Sequence, residues 1–122
     1  MEDSFGPLFS HKDLVLEACT STITATGHER KVYNLCSGKH ISLGYEVVEP
    51  YASVPLHTHE ASEEVIHIIS GAGEATIGDE TFQLVAGSTL LIPIGTPHSF
   101  RSTSPDPLTL TFTFSPPVKL QL

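Results

Sequence analysis

Hydrophobic and polar positions alternate in short runs along this chain. The clearest run is residues 108 to 114, where Leu108, Leu110, Phe112 and Phe114 stand against Thr109, Thr111 and Thr113, the period of two that a half-buried strand requires. Seven further runs enriched in Val, Ile, Thr, Phe and Tyr occupy residues 14–19, 31–36, 40–48, 64–69, 74–78, 81–85 and 89–93. About eight strands are therefore expected. Between the runs, Gly78 and Asp79 supply a tight hairpin turn, and the segments SGAG and VAGS place glycines where the chain reverses. Short strands at such regular spacing predict an all-β domain, a sandwich or a barrel. There is no internal repeat and no low-complexity linker, and roughly the first dozen residues and the closing SPPVKLQL read as arms that pack loosely or reach a neighbour.

Length and charge narrow the function. A chain of 122 residues is one domain by size, large enough to bury a core and too small to join a cofactor domain to a substrate domain. Any chemistry has to fit one pocket. A formal net charge of −8 with 6 Lys and Arg leaves no basic stripe for phosphates or anionic head groups, so no nucleic-acid or membrane partner is expected. No segment approaches the roughly 18 continuous apolar residues of a membrane span. The opening MEDSFGPLFS also lacks the charged start and apolar run of a secretory signal. A cytoplasmic protein is the expectation, with Cys19 and Cys36 as reduced thiols serving as small buried hydrophobes.

Titratable groups crowd one segment, PLHTHEASEEVIHIISG, from Pro55 to Gly71. In an extended strand, residues two apart share a face, so His57 and His59 present both imidazoles to one side while Thr58 points away. Glu64 shares its face with Ile66 and Ile68 and is expected inward, where a buried carboxylate needs a positive partner. The same alternation sends Glu63 and His67 outward. Farther along, Pro93, Gly95 and Pro97 turn the chain and place His98 at the start of the next run. Three imidazoles and a carboxylate can bind a divalent metal and leave coordination positions open. The competing possibility is a hydrogen-bonded cluster with no metal.

His57 to Gly71 reads H-x-H-x4-E-x6-G, and Gly87 to His98 reads G-x5-P-x-G-x2-H. Both resemble the two sequence motifs of the cupin superfamily, and the resemblance extends over about residues 41–114. It implies a single-domain jelly-roll β-barrel, with residues 1–40 as N-terminal strands or arm and 115–122 as a short tail. It further implies His57, His59, Glu64 and His98 as the metal ligands, with Gly71, Gly87, Pro93 and Gly95 shaping turns. Two positions depart from the motifs. Tyr51 stands where the first motif opens with glycine, so that turn is expected to be altered. Ser102 stands where the second often ends in Asn, so a contact behind the ligands is expected to differ.

Tyr45 and Glu46 are neighbours on the strand before the histidine pair, so one of the two faces the interior, and alternation alone does not say which. Both are candidate catalytic groups, Glu46 as a general base if it points inward, because burial away from the metal raises a carboxyl pKa. Ile66, Phe100 and Ser102 are the expected pocket residues. In some lyase cupins a catalytic tyrosine lies two positions after the glutamate ligand; Ile66 stands there, which tells against that chemistry. The expected cofactor is one divalent transition metal, Fe(II), Mn(II), Ni(II), Cu(II) or Zn(II), with no organic cofactor. The expected function is a small metalloenzyme, an oxygenase acting on an enolisable or catecholic small molecule. A redox-neutral isomerase, cyclase or lyase is one alternative and a noncatalytic ligand-binding protein another, since one barrel hosts many functions. An open sheet edge and an apolar outer face predict a homodimer.

Overall fold

Period-two alternation becomes ten strands in a computed structural model that describes residues 8–13 and 21–118. They are β1 (Ser21–Ile23), β2 (Arg30–Ser37), β3 (Ser42–Val48), β4 (Ser53–His57), β5 (Glu63–Ser70), β6 (Gly73–Ile77), β7 (Glu80–Leu84), β8 (Thr89–Ile92), β9 (His98–Ser102) and β10 (Leu108–Ser115). They form two antiparallel sheets, β1-β2-β3-β10-β5-β8 and β4-β9-β6-β7, a jelly-roll sandwich. Seven of the eight expected runs correspond to β2, β3, β5, β6, β7, β8 and β10, while residues 14–19 lie outside the described part. No described helix is long and apolar enough to cross a membrane.

Each inner face is written by alternation. On β5, Glu64, Ile66 and Ile68 are buried while Glu63, Val65 and His67 are exposed. On β3, Ser42, Gly44, Glu46 and Val48 are buried, with the residues between them turned outward. Leu108, Leu110, Phe112 and Phe114 of β10 pack against these faces and against Val54, Ala75 and Phe100 of the smaller sheet. Phe112 lies opposite Gly44 across the β3–β10 pair, and its ring fills the space that a β-carbon at Gly44 would need.

Three strands were not foreseen as separate runs. β1 is three residues long, β9 reads HSFRS, and β4 carries Pro55 and a register shift between Val54 and His57. None of them shows a sustained apolar period. One expectation is corrected. Cys36 is exposed rather than buried, because the β2–β3 register shifts between Asn34 and Cys36; Cys19 lies outside the described residues. The turn at Tyr51 places the tyrosine in the left-handed region at φ 62°, a strain of roughly 1–2 kcal/mol.

Candidate metal centre

The four predicted ligands come from both sheets. His57 ends β4 and lies opposite His98 at the start of β9, while Glu64 faces them from β5 of the larger sheet. Between Val54 and His57 the β4–β9 pairing slips by one residue. A bulge of this kind resets the alternation, so Leu56 turns to solvent and His57 turns in. Proline is tolerated there because a bulge already interrupts the ladder. His59 lies beyond the end of β4, so strand alternation does not position it. Its carbonyl instead accepts a hydrogen bond from the Gly95 N–H at 2.9 Å, and its ring packs edge-on against Phe114 at 4.7 Å.

Ring centroids of the three imidazoles lie 4.1 Å (His57 and His98), 5.0 Å (His57 and His59) and 5.3 Å (His59 and His98) apart. Their ligand nitrogens fall within 4.8 Å of one another. Glu64 Oε1 is 3.2 Å from His98 Nε2 and 3.8 Å from His59 Nε2. Second partners fix two of the rings. His57 Nδ1 contacts the Pro55 carbonyl at 2.7 Å and His98 Nδ1 the Thr96 carbonyl at 2.9 Å. A carbonyl only accepts, so both Nδ1 atoms carry protons and both Nε2 atoms of the neutral rings offer lone pairs to the centre. His98 Nε2 and Glu64 Oε1 are buried without a hydrogen bond despite their proximity. A positive charge belongs between them, and a divalent cation fits this donor set.

Electrostatics agree with that arrangement. Burial pushes the His57 and His59 pKa values down, which keeps them neutral and ready to ligate. Burial also opposes a proton on His98, but the Glu64 carboxylate and the Thr96 carbonyl outweigh it and raise its pKa.

The ligands border a cavity of about 380 Å³. Of the Tyr45 and Glu46 pair, Glu46 is the inward member and lines this cavity. Tyr45 lies on the opposite face, its ring 5.9 Å from that of Tyr33. Burial lifts the Glu46 carboxyl to about 7; nearby Arg30 works against the rise and Glu64 adds to it. Phe100 lines the cavity with Phe112, Phe114 and Val54. Ile66 and Ser102 do not. Ile66 is packed in the core at 1% exposure, and Ser102 is fully buried with its hydroxyl donating to the Asp106 carbonyl at 3.3 Å. Arg30 also lines the cavity and was not foreseen. It precedes the KVYNLC run and shares parity with the buried Val32, so extending that run by one residue was the available signal.

A two-sheet jelly roll with three imidazoles and a carboxylate converging between its sheets defines a β-barrel domain with a candidate metal site. The sequence profile described as Cupin domain matches residues 44–114, and this chain belongs to the cupin family. An uncharacterised protein of Methanocaldococcus jannaschii is 33% identical over 84 residues, covering 69% of this chain and 67% of that protein. Quercetin 2,3-dioxygenase of Bacillus subtilis is 42% identical over 50 residues, 41% of this chain and 15% of the dioxygenase. The match thus spans only a small part of that enzyme's length. Among solved structures, an RmlC-like cupin from Shewanella frigidimarina superposes with a TM-score of 0.79 over 94% of this chain and 96% of its own, at 18% identity. That likeness shows the fold alone.

Proposed function

We propose that this cupin is a divalent-metal-dependent enzyme, an oxygenase acting on an enolisable or catecholic small molecule. The observation that carries the reading is the convergence of His57, His59 and His98 with the unpaired Glu64 Oε1 beside a cavity that also holds a buried carboxyl. An ion held by these four side chains would supply Lewis acidity toward adjacent substrate oxygens and, as iron or copper, access to O2. Glu46 supplies the proton acceptor: with a pKa of about 7 it can take the acidic proton of a bound enol or catechol near neutral pH. Phe100, Phe112 and Phe114 wall the cavity and give a bound substrate an apolar surface to pack against. The Pro55 and Thr96 carbonyls hold the His57 and His98 rings in the ligating tautomer.

Iron-loaded protein given catechols and enolisable diones should consume oxygen, and His57→Ala or Glu64→Ala should abolish that consumption. Turnover that continues under nitrogen removes the oxygenase reading. It would leave a redox-neutral isomerase or lyase, the second reading, which Glu46 favours as a buried general base. A ligand that raises the melting temperature and is recovered unchanged would mark a noncatalytic binder. Exposed Val65, Ile69 and Leu91 on the outer face of β5 and β8 support a homodimer through that face. Leu91→Glu should then lower the mass seen in sedimentation, and a monomeric wild type at high concentration would remove the dimer.

A further inference from the structure

Arg30 is a buried cation with donors left over. Its side chain is 12% exposed and its Nε lies 3.4 Å from Glu46 Oε2, yet Nε and Nη1 are buried with no hydrogen bond. A guanidinium kept only to neutralise Glu46 would present its planar fork to both carboxylate oxygens, the geometry that gives such pairs their strength. Here Nε approaches Glu46 Oε2 at 3.4 Å without forming a hydrogen bond. Arg30 and Glu46 line the same cavity as His57, His59 and Glu64, and Glu46, with a pKa of about 7, cancels only part of the guanidinium charge at neutral pH. Buried donors without acceptors are costly and mark a place where an acceptor arrives with a ligand.

We propose that Arg30 anchors a carboxylate of the molecule that occupies the cavity, so that the substrate is a small organic acid whose other end reaches the candidate metal centre. This rests on the reading of that cavity as the substrate site. A volume of about 380 Å³ holds roughly a dozen non-hydrogen atoms at about 30 Å³ per water-sized unit, the scale of a substituted benzoate. The apolar walls accept a ring or short chain between the two polar ends. Glu46 lines the same cavity beside Arg30.

Calorimetry on the zinc-loaded full chain at pH 7, with benzoate and 3,4-dihydroxybenzoate each set beside its carboxamide, tests this. The acids should bind roughly 10- to 100-fold tighter than the amides. Arg30→Gln should bring that ratio to within about threefold, with zinc affinity unchanged in competition with a chromophoric chelator. Because Arg30→Gln strands Glu46, the pair Arg30→Gln/Glu46→Gln serves as a second variant with neither charge buried. An acid preference below about threefold in the wild type, or one preserved in both variants, overturns the proposal. If zinc fails to bind the wild type, the metal reading falls. The benzoate and benzamide pair needs no chelation, so it still reads Arg30 in the metal-free protein by the same criteria.

Discussion

Replacing Glu46 with glutamine isolates the most perturbed carboxyl in the cavity. Burial raises its pKa from 4.5 to about 7, against the pull of Arg30 and with the help of Glu64. A carboxyl that holds its proton more tightly in the folded chain than in the unfolded one stabilises the fold fully below the unfolded pKa. That contribution is lost as pH rises through the folded value. The interval from 4.5 to about 7 corresponds to about 3 kcal/mol at 1.36 kcal/mol per unit, and most of it falls between pH 5 and pH 8. Glutamine stays neutral throughout and loses nothing. Urea unfolding of chelator-treated wild type and Glu46→Gln across that range should therefore show their stability difference moving by roughly 2–3 kcal/mol in favour of the variant. Activity should move the other way, falling roughly 10²- to 10⁴-fold in the variant, since the proton acceptor is gone. Stability curves that stay parallel to within about 0.5 kcal/mol would refute the reasoning, because Glu46 would then titrate alike in both states.

Four further outcomes follow from the same geometry. His98→Ala should weaken zinc binding about 100-fold or more, since four ligands share roughly 10–16 kcal/mol in well-formed zinc sites. Wild-type zinc affinity should rise with pH as the proton leaves His98, whose pKa is raised; a flat profile between pH 5 and 8 would count against a metal at this position. Tyr51→Gly should relieve the strain at φ 62° and, after the added chain entropy, raise stability by roughly 0.5–1 kcal/mol, seen as a melting temperature about 2–4 °C higher. Gly44→Ala should cost roughly 1–3 kcal/mol by driving a methyl group into the Phe112 ring; because Phe112 lines the cavity, ligand affinity should fall as well.

Much of this was legible in the residues because alternation is local. Along an uninterrupted strand such as β5, the pleat alone sends Glu64 inward with Ile66 and Ile68 and turns Glu63 and His67 out. The two motif spacings placed His57, His59 and His98 with it, and seven runs marked seven strands. Parity fails where pairing is interrupted. The bulge before His57 depends on how β4 meets β9, and His59 is held by a bond to Gly95 outside any strand. Choosing Glu46 over Tyr45 required knowing which face of β3 meets the second sheet. Ile66 and Ser102 share inward parity with the site, yet they lie in packed parts of the interior rather than at the cavity. Parity gives a side, whereas the opening between sheets is set by how far each strand runs and what fills it. Arg30 belongs to the same class. Its charge is visible in the chain, but the burial of Nε and Nη1 without acceptors exists only once β2 lies beside β3 and closes the guanidinium into the cavity.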